Sequence, residues 1–110
     1  MDAFELADLL AQREAARIPY LEFLHVPDLS VGLYVLAAGQ PDLQRPHTED
    51  EVYYVVSGRA KVTVGDEVRD IRAGSIVFVA TAVPHTFHDI TEDLVLFVAF
   101  GPAEGSRAPA

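Results

Sequence analysis

Apolar residues follow two different periods along the chain, and the change comes at Pro19. Before this proline they recur with a period near 3.6, which predicts a helix from Phe4 to Arg17. Asp2 is placed to cap this helix, with Glu5 three residues later to complete a capping box. Pro19 ends the pattern, because proline does not continue a helix.

After Pro19 the pattern changes to short strands separated by turns. The apolar segments alternate or are fully apolar, and turn residues separate them at intervals of roughly 8–12 residues. About eight strands are expected, at 20–26, 29–38, 52–56, 60–64, 67–71, 76–79, 84–90 and 94–100. The sequence therefore predicts an all-β sandwich or barrel, with six to eight strands in the barrel. Its expected parts are an N-terminal helix over 1–19, a β-barrel over 20–102 and a flexible tail over 103–110.

Composition narrows the classes of function. The chain has 110 residues, with 8 basic against 17 acidic residues and a formal net charge of −9. Such a chain repels phosphate backbones and anionic lipid, so we expect neither nucleic acid nor a membrane as a partner. The absence of cysteine excludes disulfides and thiolate chemistry and fits a reducing compartment. No secretory signal stands at the N-terminus, and we expect a cytoplasmic protein.

The segment Arg45-Pro46-His47-Thr48-Glu49-Asp50-Glu51 comes directly before an apolar strand. In an extended chain, residues 45, 47, 49 and 51 share one face, which would place an imidazole beside two carboxylates. The proline and the cluster of charges also allow a turn, which would break this alternation. An acidic, solvated loop is the alternative without function, and it accounts well for Asp50 and moderately for Glu49.

A second segment with histidines, Val83-Pro84-His85-Thr86-Phe87-His88-Asp89, follows a buried strand. His85 and Phe87 share one face of an extended chain and His88 points the other way, so only one of the two histidines can line an interior. His25 lies in an early strand and is not expected to be a ligand. One carboxylate and two imidazoles from the two segments would suit a divalent first-row metal with open positions.

The spacing in the first segment resembles the first motif of the cupins, which are small double-stranded β-helix barrels. That motif is a glycine, five residues, His-x-His, three or four residues, a glutamate, six residues and a glycine. Here Gly39 is followed by five residues, the triplet from Arg45 to His47, three residues, Glu51, six residues and Gly58. Every spacing matches.

The second segment is similar to the second cupin motif. Gly74 is followed by five residues, the triplet 80–82, two residues, His85, three residues and Asp89. Alanines replace the usual proline and glycine of the triplet, and Asp89 replaces an asparagine. The resemblance covers about residues 20 to 100. It implies an all-β, double-stranded β-helix barrel preceded by a short helix.

Carried over by position, the resemblance implies His47, Glu51 and His85 as the ligands of one divalent metal ion (Zn, Fe, Ni or Mn). This is a facial arrangement of two histidines and one carboxylate. Arg45 stands where cupins usually have their first histidine, and a guanidinium cannot ligate a metal. Glu49 is a candidate fourth ligand if the strand runs regularly through residue 51.

The resemblance leaves two functions open. The first is a metal-dependent dioxygenase, isomerase or lyase acting on a small oxygenated or carboxylate substrate. Arg45 would point into the barrel and hold a substrate carboxylate, with Tyr53 and His88 as weaker candidates for supporting catalytic roles. Ordinary packing within a strand is the alternative for Tyr53. The second is a non-catalytic cupin that binds a small ligand and whose metal site has decayed. Arg45 would then pair with Glu51 or Glu49 in place of the metal.

A homodimer is the expected assembly. Residues 20–26 and 29–38 are long and apolar for edge elements of a small barrel, and open edges invite pairing. The N-terminal helix would help to cover the seam. Two-fold contact between identical surfaces is the commonest arrangement of such pairs.

Overall fold

The computed structural model describes residues 1–108 and contains, within them, one helix and six strands. These are α1 (Leu6–Ala16), β1 (Tyr20–Val26), β2 (Leu29–Leu36), β3 (Asp50–Val64), β4 (Glu67–Arg72), β5 (Ile76–Val79) and β6 (His85–Gly101). The predicted all-β class with a short N-terminal helix is confirmed. Over the described part of the chain, no helix is long and apolar enough to cross a membrane.

Helix α1 begins two residues later than predicted. Glu5 stands at its N-cap and makes no side-chain capping bond, so the predicted capping box begun by Asp2 is wrong. The helix ends where Arg17 adopts the left-handed conformation, with a φ of 54°. Just before the helix, the ring of Phe4 packs edge-on against Phe23 of β1, with ring centroids 4.9 Å apart. This contact joins the start of the chain to the sheet.

The six strands lie within the predicted range of six to eight, and β3 and β6 each continue through a point where the sequence predicts a break. β3 runs through Gly58, which has a φ of 103°. β6 runs through Asp89, with a φ of 48°. The pairing between β3 and β6 shifts register repeatedly between Val55 and Lys61. Such irregularities bend a strand and increase its twist, so each long strand turns from one sheet into another.

The bends place β3 and β6 in two antiparallel sheets. In one sheet the first half of β3 lies between β5 and the second half of β6, followed by β2 and β1. In the other sheet the second half of β3 lies between β4 and the first half of β6. Two sheets that share their long strands in this way form the double-stranded β-helix that the family resemblance implies.

Inward side chains fill the space between the sheets. The core cluster comprises Tyr34, Leu36, Tyr53, Val55, Ala60, Val62, Ile71, Val79, Phe87, Ile90, Leu94, Leu96, Val98 and Phe100. Period-two alternation is clear at the start of β3, where Glu51, Tyr53 and Val55 are buried and the residues between them are exposed. Each large apolar side chain buried in this way contributes about 1.5–3 kcal/mol. The same alternation points Glu51 inward.

The chain after residue 102 does not form the flexible tail that the sequence predicts. In the C-terminal segment (residues 103–108), Ala103 has no exposed surface. The amides of Gly105 and Arg107 donate to the two oxygens of the Glu49 carboxylate, at 2.8 and 2.9 Å. Hydrogen bonds to an ionised acceptor are strong, so the segment is docked on the barrel. Residues 109 and 110 of the predicted tail lie outside the described residues.

We expect Gly58→Ala to destabilise the fold more than Gly74→Ala. Both glycines have positive φ, 103° and 95°, so both alanines carry backbone strain of about 1–3 kcal/mol. Only at position 58 would the added Cβ overlap other backbone, namely the carbonyl group of Asp93. The extra loss should be about 1–3 kcal/mol, measured by urea unfolding. Equal losses would show that close approach at the bend does not matter.

Candidate metal centre

Three residues that are distant in sequence meet inside the barrel. Glu51 projects from the start of β3 in one sheet, and His85 projects from the start of β6 in the other. His47 reaches the same place from the loop before β3. One candidate ligand atom of each residue lies within 4.8 Å of the other two. The fold therefore brings together the three residues that the sequence predicted as ligands.

Glu51 and His85 form the most buried pair of this site. Glu51 Oε1 lies 2.9 Å from His85 Nε2, and their side chains are 1% and 0% exposed. His85 Nδ1 donates to the Val83 carbonyl at 3.0 Å, which leaves Nε2 of a neutral ring with its lone pair towards the carboxylate. No described residue makes a hydrogen bond of good geometry to either Glu51 oxygen.

A positive charge between these groups would remove two penalties. A buried carboxylate without a donor is strongly disfavoured, and a lone pair on Nε2 beside it adds repulsion. A proton on His85 is one solution. Burial lowers the pKa of His85, but the Glu51 carboxylate and the Val83 carbonyl outweigh burial and raise it above its usual value. A metal ion bound by both groups is the other solution.

His47 is oriented by a carboxylate from the C-terminal segment. Its Nδ1 lies 3.0 Å from Glu104 Oε2, and its Nε2 lies 3.2 Å from Gln44 Oε1. Burial lowers the pKa of His47, but Glu104 and then Glu51 outweigh it, so this pKa is also raised. A carboxylate on one ring nitrogen is a common way to direct the other nitrogen at a metal. Sequence analysis missed Glu104 because it lies in the predicted tail.

Tyr53 and Gln44 complete the inner surface of the site. Tyr53 Oη lies 3.0 Å from His85 Nε2 and donates to Gln44 Oε1 at 3.0 Å. Gln44 Nε2 donates in turn to Asp42 Oδ2 at 2.7 Å, which directs Gln44 Oε1 towards the site. Burial and then the charge of Glu51 raise the pKa of Tyr53, so its hydroxyl stays protonated. Gln44 and Asp42 were missed because they lie in an irregular loop without periodicity.

The segment before β3 does not have the regular alternation that the sequence predicts. Residues 41–49 form no strand, and Arg45 is exposed rather than directed into the barrel. Glu49 is buried, its carboxylate accepts hydrogen bonds from amides of the C-terminal segment, and it lies outside the group whose ligand atoms converge. Glu51 lies against His85. Arg45 therefore does not replace a metal as the ion-pair partner of either carboxylate. A proline within this loop cannot donate to a strand ladder.

The other two histidines lie apart from the three-residue group. His25 is on an exposed part of β1, with its Nδ1 2.6 Å from Glu22 Oε1. His88 lies 2.7 Å from Thr63 Oγ1 and 2.9 Å from Asp89 Oδ2. Neither belongs to the group whose ligand atoms converge.

A pocket with a volume of about 310 Å³ opens beside these residues. Most of its walls are aromatic or aliphatic. Its lining comprises Pro19, Tyr20, Tyr34, Leu43, Gln44, His47, Tyr53, Val98, Phe100 and Glu104. His47 and Tyr53 therefore connect the pocket to the candidate centre, and a small organic molecule can approach the centre from it.

Comparison with known proteins identifies the family. The family model of the cupin domain matches residues 32–100. The chain belongs to the cupin family. An uncharacterized protein of Streptomyces coelicolor is 52% identical to this cupin over 104 residues, which are 94% of this chain and 99% of the relative.

Solved structures share the fold of this cupin. The TT1209 protein of Thermus thermophilus superposes with a TM-score of 0.75 and 24% identity, over 93% of this chain and 98% of the other. A mutant salicylate 1,2-dioxygenase of Pseudoaminobacter salicylatoxidans in complex with gentisate superposes with a TM-score of 0.69 and 18% identity. That match covers 87% of this cupin and 30% of the dioxygenase. At these identities, the likeness establishes the fold alone.

Glu49→Gln is expected to lower the free energy of unfolding by about 1–3 kcal/mol at pH 7. The variant replaces a buried, charged acceptor with a neutral amide, and hydrogen bonds to a neutral acceptor are weaker. Burial raises the pKa of Glu49, but the Thr48 hydroxyl and the amides of Arg107 and Gly105 outweigh it and lower the pKa. When folding lowers the pKa of a carboxyl group, that group stabilises the protein at pH values above its pKa in the unfolded chain. This contribution disappears as the pH falls through the pKa that the group has in the folded protein. The difference between parent and variant should therefore shrink below about pH 4.

Urea unfolding at several pH values measures this difference, and hydrogen exchange reports the opening of the C-terminal segment. Glu67→Gln, at an exposed position of β4, is the matched control. A Glu49→Gln variant as stable as the control, with unchanged exchange in residues 103–108, would contradict the docking role of Glu49.

Proposed function

We propose that this cupin is a metalloprotein that binds one divalent metal ion through His47, Glu51 and His85 and acts on a small oxygenated molecule in the adjoining pocket. The observation that carries the proposal is the Glu51 carboxylate. It is buried, no described residue makes a hydrogen bond of good geometry to it, and it lies 2.9 Å from Nε2 of an imidazole whose Nδ1 is fixed by a carbonyl. Two imidazoles and a carboxylate suit Zn, Fe, Ni or Mn.

The outer contacts of the two imidazoles support the proposal. Each ring has Nδ1 at an acceptor, Glu104 for His47 and the Val83 carbonyl for His85. Imidazoles that bind metals commonly have such partners, which fix the ring and its tautomer. Gln44 Oε1 adds an oxygen beside His47 Nε2, at 3.2 Å.

A divalent metal bound here would supply Lewis acidity towards a carbonyl or enolate oxygen. The chain's own groups do the remaining work. Tyr53 keeps a proton on Oη next to His85 and can donate it to an oxygen in the pocket. The apolar walls exclude water from that oxygen. Dioxygenase, isomerase or lyase chemistry is compatible with these groups, and the dioxygenase of the same fold supports the first by analogy.

A non-catalytic cupin that binds a small ligand remains the second candidate. The pocket and its hydrogen-bonding groups favour ligand binding whether or not a reaction follows. In the decayed-site version Arg45 would replace the metal as an ion-pair partner, and the exposure of Arg45 does not support that role. Arg45 also has no part in our proposal as a clamp for a substrate carboxylate.

His47→Ala and His85→Ala are each expected to lose bound metal. Losing a ligand should cost more affinity than the roughly 10–100-fold that follows from losing an outer partner of a ligand. Elemental analysis after dialysis against Zn²⁺ measures the metal content, and thermal unfolding with and without metal measures its effect on stability. His25→Ala is the control and should keep its metal. If both ligand variants keep the full metal content of the parent, the proposed site is wrong.

The outer face of the sheet formed by β5, β3, β6, β2 and β1 is a candidate contact surface for the expected homodimer. Strand register places Leu21, Leu33, Phe97, Tyr54 and Ile76 in one row across this face. Exposure rises along the row, from 1% at Leu33 to 38% at Phe97 and 71% at Ile76. Helix α1 packs against β1, at one end of the row. The other end, on β3 and β5, is apolar and exposed.

We propose that a second copy of the chain covers this exposed end, in a cytoplasmic homodimer. Its apolar surface consists of Val52, Tyr54, Ile76 and Phe78, and no charged side chain lies among them along these strands. A two-fold contact would place this apolar surface against itself, as identical subunits commonly do. The sequence predicted the dimer contact at residues 20–26 and 29–38, whereas the exposed apolar surface supports a contact through β3 and β5. The cysteine-free composition fits the cytoplasm.

Ile76→Asp is expected to convert the dimer into single chains, because a charge buried in an apolar contact is strongly disfavoured. Sedimentation equilibrium in the micromolar range measures the mass. Val68→Asp is the control, because Val68 is 60% exposed on β4 in the other sheet. This variant should keep the parent's mass. A parent protein with the mass of one chain throughout that range would overturn the proposed dimer.

A further inference from the structure

Tyr20 lines the pocket beside the candidate centre and carries a buried hydroxyl that the protein itself does not use. Tyr20 Oη is buried, and no described residue forms a hydrogen bond with it. The Tyr20 ring lies against Gly32, where a Cβ would overlap it, so the missing side chain at Gly32 makes room for the ring. Burial and then the charge of Glu104 raise the pKa of Tyr20 well above its usual value. The hydroxyl therefore stays protonated, and its hydrogen has no acceptor among the described residues.

The charges around the pocket disfavour an anion. Glu104 lines it, and Asp42 and Glu51 each lie one contact behind the lining, through Gln44 and His85. No lysine or arginine belongs to the lining among the described residues. Two charges on a divalent metal would not neutralise three carboxylates. An anionic ligand is therefore opposed by the net charge with or without the metal.

The walls disfavour a charged ligand of either sign. Leu43, Val98 and Phe100 offer no hydrogen bonds from their side chains, so a charge placed against them loses its hydration without replacement. A bound divalent metal would also repel a cationic group. The volume of about 310 Å³ lies at the lower end of the range for small-molecule sites and has room for a molecule with one or two rings.

We propose that this pocket takes an uncharged, ring-bearing organic molecule with two oxygen groups. One is a hydroxyl or carbonyl oxygen at the candidate centre, next to Tyr53. The other is an acceptor oxygen that receives the hydrogen of Tyr20 Oη. This inference rests on the proposed function, because the proposed metal site determines where the first oxygen of the ligand lies. It replaces the carboxylate substrate expected from Arg45, which is exposed.

The test compares two probes of nearly the same shape that differ in charge, 4-hydroxybenzamide and 4-hydroxybenzoate. Calorimetry and saturation-transfer NMR measure their binding at pH 7.0, where the phenol of the amide keeps its proton, to the full chain, once without metal and once after loading with Zn²⁺. The neutral amide should bind at least about tenfold more tightly than the carboxylate in both forms. Equal or tighter binding of 4-hydroxybenzoate, or no binding of either probe to either form, overturns the inference.

Two conservative variants test the named groups. Tyr20→Phe should weaken binding of 4-hydroxybenzamide by about 2–10-fold, which corresponds to one lost hydrogen bond, and should leave the metal content unchanged. Tyr54→Phe removes the same hydroxyl from the outer face and should bind as the parent does. Glu104→Gln should reduce the discrimination against 4-hydroxybenzoate, and the exposed Glu67→Gln should not. Unchanged binding in Tyr20→Phe contradicts the assigned role of its hydroxyl.

The two metal states separate this inference from the proposed function. If the protein takes up no Zn²⁺ but still selects the amide through Tyr20, the proposed metal site is wrong and the assignment of the pocket stands. If it binds Zn²⁺ through the three ligands but prefers the carboxylate, only the assignment of the pocket is wrong.

Discussion

The bends in β3 and β6 are the constraint on which the rest of the structure depends. Each strand leaves one sheet at its bend and enters the other, so the two sheets face one another over a shared interior. Gly58 makes one bend feasible, because its positive φ and the nearby Asp93 backbone leave no room for a side chain. Glu51 and His85 meet only because these strands pass from sheet to sheet.

The C-terminal segment links the stability of the barrel to the geometry of the site. Its amides bind the Glu49 carboxylate, and its Glu104 side chain orients His47. Opening this segment would leave the Glu49 carboxylate with only the Thr48 hydroxyl as a donor among the described residues and would free the His47 imidazole at the same time. A few residues outside the strands therefore satisfy a buried carboxylate of the barrel and also orient a candidate ligand.

The replacement of the first motif histidine by Arg45 changes the character of the site. The arginine is exposed, and the neighbouring Gln44 presents its amide oxygen next to His47 and Tyr53. Asp42 holds that amide in place. The inner surface is thus rich in oxygen acceptors and carboxylates, and its open side is apolar. These features are the basis of the proposed cation at the inner end of the site and of the proposed neutral organic molecule in front of it.

The sequence by itself determined the fold class and the inward face of β3. Alternation with period two is a local property, so Glu51, Tyr53 and Val55 could be placed on one face without knowledge of the rest of the chain. The motif spacing then identified His47 and His85, which the fold brings next to Glu51.

Only the tertiary structure decided which other residues reach the centre. It directed Arg45 to solvent, turned Glu49 to the C-terminal segment and brought Gln44 and Glu104 to the pocket. The conformation of an irregular loop has no period from which the direction of a side chain can be read. The contacts of Glu49 and His47 join residues more than 50 positions apart, where folding free energy comes from contacts between distant segments rather than from local pattern.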